Sequence, residues 1–359
     1  MFRSFEFRLR PTKAQIAAFE EILVDSCETY NAALQERRDA WKMQRKVVTD
    51  FDQFNELQEL RKDPKFAAVG IDIAREPIRR VDSAFQGFFR RAKAGQKPGY
   101  PRFRSRDRYD SFAWYRPSFD SKSLMVPKVG RVKFTAHQLV VGESKKILVK
   151  RQGRKWIARV VCDIGSAPPK QPVSSPIGVD LGLTSFAVFS NGDEIKNPRF
   201  AKKAEQRITN ANRALARKLR GSKNRLRAKE RLRREHQRVA DARKNFCHHA
   251  SKAVLAKYDL VAHEALNIAD MAEKRFGKSI MDAAWGLFLF QLTYKAESAG
   301  RWVVPVNPRN TTKQCSSCGE LVEKKIFERT HSCKCGLVMG RDHNAAVNIL
   351  RLGRSLVKA

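Results

Sequence analysis

The chain has 359 residues, 42% of them hydrophobic, which is enough for two or three modules that each bury a core. Its 72 Lys and Arg residues outnumber its 37 Asp and Glu residues and give a formal net charge of +35. So large a positive charge requires a polyanionic partner. Nucleic acid is favoured over an anionic membrane because no apolar run is long enough to span a bilayer.

Met1–Arg10 shows no signal-peptide pattern, so we expect a cytoplasmic, nucleoid-associated protein with no membrane partner. The odd number of cysteines, seven, argues against a disulfide framework. Cys27, Cys162 and Cys247 lie singly in apolar or helical contexts, and we interpret them as packing residues.

The chain begins with a predicted strand and continues as helices. Phe2–Leu9 alternates between apolar and polar residues, as a half-buried strand does. Thr12 and Gln15 then have the spacing of a capping box, in which each side chain bonds the backbone N–H of the other, and this predicts a helix start. Helical patterns continue to about residue 92, so residues 10–92 are interpreted as a helical module.

Residues 109–162 predict a small antiparallel barrel or sheet, because short runs rich in Val, Phe and Ile are broken by Pro and Gly. The loop just before them interleaves Arg102 and Arg104 with Tyr100 and Phe103. Such a loop can contact phosphates and stack on bases. A solvated, charged loop is the alternative.

A proline-containing linker at 167–172 predicts a domain boundary, since adjacent prolines stop both helices and strand pairing. Beyond it, Ile177–Asp180 has the pattern of a strand. Asn191-Gly192 lies between two further strand-like segments and is a strong hairpin signal. These residues predict the three-stranded start of a mixed sheet.

Residues 201–247 predict strongly basic helices, with 17 Lys or Arg against four acidic residues. Gly221-Ser222 divides the stretch in two, and Arg217, Lys218 and Arg225 are candidate nucleic-acid contacts near this division. So one-sided a charge repels itself unless phosphates neutralise it, which favours phosphate contact over a merely solvated face.

The remaining elements predicted in this half are a buried strand, a helix and a second strand. Tyr258–His263 is the first strand, and a helix over Met281–Ala299 follows, with Gly300 as its stop. Arg301–Val306 returns as a strand.

Four closely spaced cysteines predict a structural zinc site. Cys315 and Cys318 are followed by Cys333 and Cys335, and two such pairs joined by a short hairpin can enclose one tetrahedral Zn²⁺. Four cysteine ligands leave no open coordination position, so the metal is expected to be structural. The second pair is tighter than the usual Cys-x-x-Cys, and His331 lies near enough to replace one ligand.

Three acidic residues stand at the ends of predicted elements. Asp180 and Glu264 end apolar strands, and Asp342 precedes a helix. Each alone is better explained as a cap or surface acid. Together, in a chain with few acids, they predict a shared site, because three clustered carboxylates can hold two Mg²⁺ ions about 4 Å apart for phosphodiester hydrolysis.

The order of these motifs resembles the split RuvC nuclease domain of the TnpB proteins of bacterial insertion sequences, which are related to type V CRISPR effectors. The motifs in chain order are Gly178-Val179-Asp180-Leu181-Gly182, His263-Glu264-Ala265-Leu266-Asn267, the cysteine pairs, and Arg341-Asp342-His343-Asn344-Ala345-Ala346. Arg8–Gln15, Tyr30-Asn31 and Gly99–Phe103 resemble the N-terminal pattern of that family, so the resemblance covers nearly the whole chain.

The resemblance implies an α/β and α+β multidomain fold. Residues 1–10 and 101–168 would form a wedge β-barrel, into which recognition helices at 11–100 are inserted. Residues 173–310 and 339–359 would form a ribonuclease H-like (RuvC) domain, and residues 311–338 its inserted Cys₄ zinc ribbon.

The resemblance also implies an RNA-guided DNA endonuclease. Its guide RNA would derive from the transposon end, the protein would read a short motif beside the target, and one site would cut both strands. The expected partners are the guide RNA and double-stranded target DNA with its unwound strands, and the expected cofactors are two Mg²⁺ ions and one structural Zn²⁺.

Carried over by position, Asp180, Glu264 and Asp342 match the catalytic acids of the family, and the four cysteines match its zinc ribbon. The family's readers of the flanking motif tend to lie near the positions of Arg75, Arg79 and Ser111. The chain departs from the family at His263, where an apolar residue is usual, and in the shortened Cys333-x-Cys335 pair. We interpret His263 as a histidine satisfied within the fold; tuning of metal affinity is the alternative.

Three other functions remain open from the sequence. A cleavage-incompetent, guided DNA-binding regulator is disfavoured because all three acids are present. A strand-transferring transposase would use the same acids and metals, although the basic helices and the cysteine pairs favour the guided nuclease. An RNA-binding structural protein would leave the acids unexplained.

Overall fold

The alternating start of the chain forms strand β1, Phe2–Arg10, in which Phe5, Phe7 and Leu9 are buried. The computed structural model describes residues 1–62, 67, 69–273, 276–325 and 328–357. The chain divides into two units, Met1–Ser166 and Ala167–Ala359.

The first unit contains a six-stranded antiparallel sheet. After β1 its strands are β2 Ser111–Tyr115, β3 Ser123–Val126, β4 Gly130–Thr135, β5 Glu143–Gln152 and β6 Lys155–Asp163. The order is β2-β5-β6-β1-β4-β3, and every neighbouring pair is antiparallel. β2 and β3 are the edge strands and do not pair with each other. Among the described residues the sheet is therefore not closed and forms a half-barrel.

In the part of this unit that the structure describes, the long helices are α1 Lys13–Gln44, α2 Asp50–Leu60 and α3 Ile71–Lys93. Helices α1 and α3 contact β2 of the sheet, and α2 packs against α3. The predicted capping box of α1 is confirmed, because Thr12 Oγ1 accepts from Gln15 N at 3.3 Å and Gln15 Oε1 accepts from Thr12 N at 3.0 Å. Phe19 of α1 packs edge-on against Trp156 of β6, with the ring centroids 4.9 Å apart.

Buried polar contacts fix the helices of this unit. Arg37 of α1 donates to Gln53 of α2 at 2.9 Å and pairs with Asp82 of α3 at 3.1 Å. Glu76 of α3 accepts from Lys146 of β5 at 2.9 Å. The helices and the sheet therefore share one core.

The second unit contains a five-stranded mixed sheet. Its strands are β7 Pro176–Leu181, β8 Ser185–Phe189, β9 Glu194–Lys196, β10 Leu260–Glu264 and β11 Trp302–Val306. The order is β11-β10-β7-β8-β9, in which β10 runs parallel to both β7 and β11 and the other pairs are antiparallel. The predicted three-stranded start and the hairpin at Asn191-Gly192 are confirmed.

The helices of the second unit are α4 Phe200–Ala216, α5 Lys223–Lys257, α6 Ile268–Ala272, α7 Gly277–Ala283, α8 Trp285–Ser298 and α9 Arg341–Leu356. The division of the basic stretch at Gly221-Ser222 is confirmed, but α5 continues beyond residue 247 to Lys257. The prediction of one helix over 281–299 is wrong, because Ala284 adopts a left-handed conformation (φ 58°) and separates α7 from α8.

A short hairpin completes the elements of this unit. Its strands are β12 Thr330–Ser332 and β13 Val338–Gly340, and β13 leads directly into α9. Among the described residues, no helix is both long and apolar enough to cross a lipid bilayer.

Candidate active site and metal centre

Asp180 and Glu264 lie at the same edge of the second sheet. β7 and β10 are parallel neighbours, with Val179 opposite His263, so the next residue of each strand is one of the two acids. Parallel strands end at the same edge of a sheet, which is why acids that are distant in sequence meet there. Asp342 joins them from the first turn of α9.

The charges of Glu264 and Asp342 act on Asp180. Burial raises the pKa of Asp180 well above its usual range, and the negative charges of Glu264 and Asp342 raise it further, while Arg341 opposes them. Asp180 is only 9% exposed. A nearby cation would offset both effects and favour the ionised form of Asp180.

Glu264 and Asp342 each have a polar partner. Burial raises the pKa of Glu264, and the hydroxyl of Thr311, which donates to Glu264 Oε1, opposes that rise. Asp342 Oδ1 accepts from Arg341 Nε at 3.1 Å, and Arg329 lies 3.8 Å from its other oxygen. Carboxylate oxygens are hard ligands of the kind that Mg²⁺ prefers, so the chemistry of these side chains suits such an ion. Among the described residues, however, the four cysteines, and not these three acids, form a group whose ligand atoms all lie within 4.8 Å of one another.

Close packing of α9 on the sheet places Asp342. A Cβ added to Gly178 of β7 would lie 2.1 Å from the Ala346 carbonyl oxygen, and one added to Gly353 of α9 would lie 2.3 Å from the Ala262 side chain. Both positions therefore need glycine for the helix to approach this closely.

Two buried asparagines of α9 hold the segment that carries Thr311. Asn348 Nδ2 donates to the carbonyl oxygens of Thr311 at 2.9 Å and Gln314 at 2.7 Å. Asn344 Nδ2 donates to Gln314 O at 2.8 Å, and its Oδ1 accepts from Ser316 N at 2.9 Å. Sequence reasoning missed these residues; the available signal was a pair of amides one turn apart among the small and apolar residues of α9.

The four cysteines come together in one cluster, with their sulfur atoms all within 4.8 Å of one another. Cys315 Sγ is 3.6 Å from Cys335 Sγ, and Cys318 Sγ is 3.6 Å from Cys333 Sγ. Tetrahedral ligands about 2.3 Å from Zn²⁺ are about 3.8 Å apart, so the cluster fits one zinc ion.

Hydrogen bonds favour the thiolate form of Cys315. Burial raises its pKa, but hydrogen bonds from the backbone of Cys318 and from His331 outweigh burial and lower the pKa to about 5. His331 is fully buried, and its Nδ1 contacts Lys324 Nζ. The four cysteines are therefore close enough together to bind one metal ion. His331 lies beside them and is not part of this group.

His263 is satisfied within the fold. Its Nδ1 lies 2.8 Å from the Glu264 carbonyl oxygen, and burial lowers its pKa. The neutral imidazole therefore has a local partner next to the acidic cluster.

The candidate nucleic-acid contacts of the first unit occupy two places. Arg79 of α3 stacks on Tyr115 with its guanidinium 4.7 Å from the ring, and Arg75 stacks on Phe54 at 5.4 Å. Ser111 begins β2 and accepts from Arg80. Arg102 and Arg104 lie apart from these residues, in the loop before β2, where they line a cavity.

The candidate contacts of the second unit lie where α4 meets α5. Arg217 is the C-cap of α4, with Lys218 next to it. Arg225 Nη1 donates to the carbonyl oxygens of Leu215 and Lys218, at 3.0 Å each. Its guanidinium thus caps the end of α4, a role that the sequence did not indicate.

Three protein families match successive parts of the chain. Residues 1–46 match a family described as "Helix-turn-helix domain", residues 159–275 match OrfB_IS605, "Probable transposase", and residues 285–349 match "Cas12f1-like, TNB domain". In the structure, residues 1–46 contain strand β1 and the single helix α1.

Two curated proteins are similar along nearly the whole chain. "Putative RNA-guided DNA endonuclease" of Streptomyces pristinaespiralis is 29% identical, over 98% of this chain and 89% of that protein. "Putative RNA-guided DNA endonuclease InsQ" of Escherichia coli (strain K12) is 23% identical, over 99% of this chain and 93% of that protein.

A solved structure of the mini-RNA-guided endonuclease CRISPR-Cas_phi3 has a similar fold. It is 10% identical in sequence with a TM-score of 0.52, and the match covers 98% of this chain and 92% of that chain. At this identity the similarity concerns the mixed α/β fold alone.

Proposed function

Because the chain belongs to the TnpB family, we propose that it is an RNA-guided DNA endonuclease, which binds a guide RNA derived from the transposon end and cleaves target DNA beside a short flanking motif. Guide RNA would pair with the target strand, and the protein would bind duplex shape and the flanking motif. The charge of +35 supports such a pair of polyanionic partners.

The observation that carries the nuclease proposal is the carboxylate cluster at one edge of the second sheet. Asp180 is buried beside the charges of Glu264 and Asp342 in a chain where basic residues outnumber acidic ones about two to one. Three acids placed near one another, two of them desolvated by burial, support a functional site over three surface caps.

Asp180, Glu264 and Asp342 would hold two Mg²⁺ ions, which activate a water and stabilise the leaving oxygen of the phosphodiester. The protein itself positions these acids: the hydroxyl of Thr311 orients Glu264, and Arg341 pairs with Asp342. Burial of Asp180 strengthens its interaction with a cation, because it excludes competing water.

The proposal extends to the domains. The half-barrel sheet supports a wedge domain formed by residues 1–10 and 101–168, and α1 to α3 support a recognition module at 11–100. The mixed sheet with α9 supports a RuvC domain formed by residues 173–310 and 339–359. Residues 311–338 would be a zinc ribbon in which four cysteines hold one structural Zn²⁺.

Replacing Asp180 tests the nuclease proposal. Asp180→Ala is expected to abolish cleavage of a guide-matched DNA, because it removes a metal ligand, and to retain RNA binding, because the basic surface is unchanged. Glu59→Gln is the matched control, since Glu59 is an exposed carboxylate on α2 whose side chain is 69% accessible. Full cleavage by Asp180→Ala would refute the proposed centre, and absence of a discrete RNA in the purified protein would refute guidance.

A strand-transferring transposase is the second candidate, favoured by the description of the family that matches residues 159–275. The same three acids would serve both reactions. Analysis of the DNA products separates them, since strand transfer joins ends to a second DNA and hydrolysis leaves free ends.

A further inference from the structure

A cavity of about 570 Å³ lies in the first unit, between α3 and the loop that leads to β2. Ser83, Ala84 and Gly87 of α3 line one side of it. The cavity is within the roughly 300–1,000 Å³ that small-ligand pockets span. Its lining residues all belong to the first unit, and the carboxylates and cysteines described above belong to the second.

Five arginines line this cavity: Arg90, Arg91, Arg102, Arg104 and Arg108. We call the cavity with these side chains the arginine pocket. The neighbouring acids are paired elsewhere, Glu28 with Arg106 and Asp82 with Arg37. In the part of the chain that the structure describes, none of the five pocket arginines forms an ion pair with a carboxylate. The ion pairs of the described residues therefore leave these five charges without a carboxylate partner, which favours an anionic ligand.

The loop that carries three of these arginines is held by α1. Asn31 bonds the backbone of Arg104 in both directions, accepting from its N–H at 2.9 Å and donating to its carbonyl oxygen at 2.8 Å. Tyr30 lies below the Arg104 guanidinium, which is 5.1 Å from the ring centroid. The loop is thus fixed before any ligand binds, which lowers the entropy cost of binding.

Phe103 adds an aromatic surface to the same pocket. Its side chain lines the cavity and is 48% exposed, and the Arg38 guanidinium lies 5.2 Å from its ring centroid. A half-exposed ring among arginines can stack on a nucleobase while the guanidinium groups contact phosphates. A duplex has no unstacked base to offer, so the combination suits a single strand.

We propose that the arginine pocket binds one unstacked nucleotide of a single-stranded nucleic acid, with its base against Phe103 and its flanking phosphates on the arginines. The proposal rests on the proposed function, since it assigns a contact to one of that function's partners. RNA and DNA strands share this chemistry, and the experiment distinguishes them.

Binding of the full chain to fluorescent oligonucleotides of about 12 residues, oligo-U RNA and oligo-dT DNA, tests the proposal by measuring Kd against salt. The double variant Arg102→Gln/Arg108→Gln is expected to reduce the slope of log Kd against log salt by about 1.4, because two phosphate contacts are lost. Both side chains are exposed, so the fold is expected to persist, and thermal melting checks this.

The variant Phe103→Leu tests stacking. It is expected to weaken binding roughly 5- to 150-fold, whereas Phe103→Tyr retains affinity. On an oligonucleotide with abasic positions, Phe103→Leu should bind as the unmodified chain does. The strand type whose binding falls more identifies the source of the nucleotide.

Arg8→Gln/Lys133→Gln is the control, because it removes the same charge from exposed positions of the sheet in this unit. Equal loss in slope from both double variants, or unchanged affinity of Phe103→Leu on both oligonucleotides, would overturn the proposal. The measurement needs no cleavage, so it stands apart from the outcome of the Asp180→Ala test.

Discussion

At the scale of single residues, Thr311 fixes an acid that lies far from it in the sequence. Its buried hydroxyl donates to Glu264, and its carbonyl oxygen is held by Asn348 of α9. A hydroxyl that donates to a carboxylate both orients it and favours its ionised form. Nothing in the local sequence pattern identifies Thr311 as a site residue, because only the fold brings Glu264 near it.

We expect Thr311→Val to lower the cleavage rate about 10-fold and to raise the Mg²⁺ concentration needed for half-maximal rate, because a hydrogen bond to a charged group contributes about 1.5 kcal/mol or more. Thr311→Ser keeps the hydroxyl and should cleave nearly as the unmodified chain does. Cleavage rates measured against Mg²⁺ check this, and equal rates for the Val and Ser variants would contradict it.

Asp259 makes stability depend on pH. Burial raises its pKa, but hydrogen bonds from the Ser174 hydroxyl and from the backbone N–H groups of Ser174 and Ser175 outweigh burial and lower the pKa below the ordinary value of 3.8. A carboxylate with a depressed pKa stabilises the fold above its unfolded pKa, and this contribution is lost as the pH falls through the folded pKa.

Asp259→Ala removes these hydrogen bonds and, because solvent screens a partly exposed carboxylate, is expected to lower the free energy of unfolding by about 1 kcal/mol or less at pH 7. The difference from the unmodified chain should shrink as the pH falls below about 4. Urea unfolding at several pH values measures it, and Ser174→Ala, which removes one donor, should show a smaller difference. A difference that grows at acidic pH would contradict the assignment.

At the scale of elements, the contact between α9 and β7 joins fold to site. A Cβ on Gly178 would lie 2.1 Å from a backbone oxygen of α9, so any side chain there must push the helix away. Since Asp342 lies in the first turn of that helix, the same displacement would move it from Asp180.

We expect Gly178→Ala to lower the free energy of unfolding by about 1–3 kcal/mol, as overpacking does, and to reduce cleavage more than that loss of stability explains. Gly286→Ala is the matched control, because a Cβ in α8 would make only an ordinary contact, 3.7 Å from Ile268. Denaturant unfolding and cleavage at a temperature where both variants are folded make the comparison. Normal cleavage by a destabilised Gly178→Ala would show that α9 does not position the acid.

Elements with a local chemical signal could be predicted from the sequence. The capping box at Thr12, the Asn191-Gly192 hairpin and the division at Gly221-Ser222 each depend on a few adjacent residues, and the structure confirms all three. The break at Ala284 could not be predicted, because nothing in the local sequence indicates that this alanine adopts a left-handed conformation. The Arg225 cap was missed because its partners lie in the preceding helix.

At the scale of the whole molecule, the four-cysteine cluster, which lies late in the sequence, helps to stabilise the second unit. The segment that contains Cys315 is held by Asn344 and Asn348 of α9, and Asp342 lies in the first turn of the same helix. Metal in the cluster would therefore stabilise the segment next to the acids without contacting substrate.

We expect one zinc per purified chain, and well under one for Cys318→Ala, whose exposed thiol contributes little to packing. Because metal binding contributes to folding, the same variant should melt at a lower temperature. Metal analysis and thermal melting check this, with Cys162→Ala of β6 as the cysteine control that keeps its zinc. Unchanged melting after a chelator removes all metal would contradict a structural zinc.

The order of the acids along the chain has a consequence during translation. Asp180 and Glu264 leave the ribosome well before Asp342, which reaches the sheet edge only when α9 packs against β7. A nascent chain, or one terminated early, would present the basic helices α4 and α5 without a complete carboxylate cluster. Such a product would bind nucleic acid without cutting it. The proposed nuclease activity therefore appears only after the last acid has been synthesised and has folded into place.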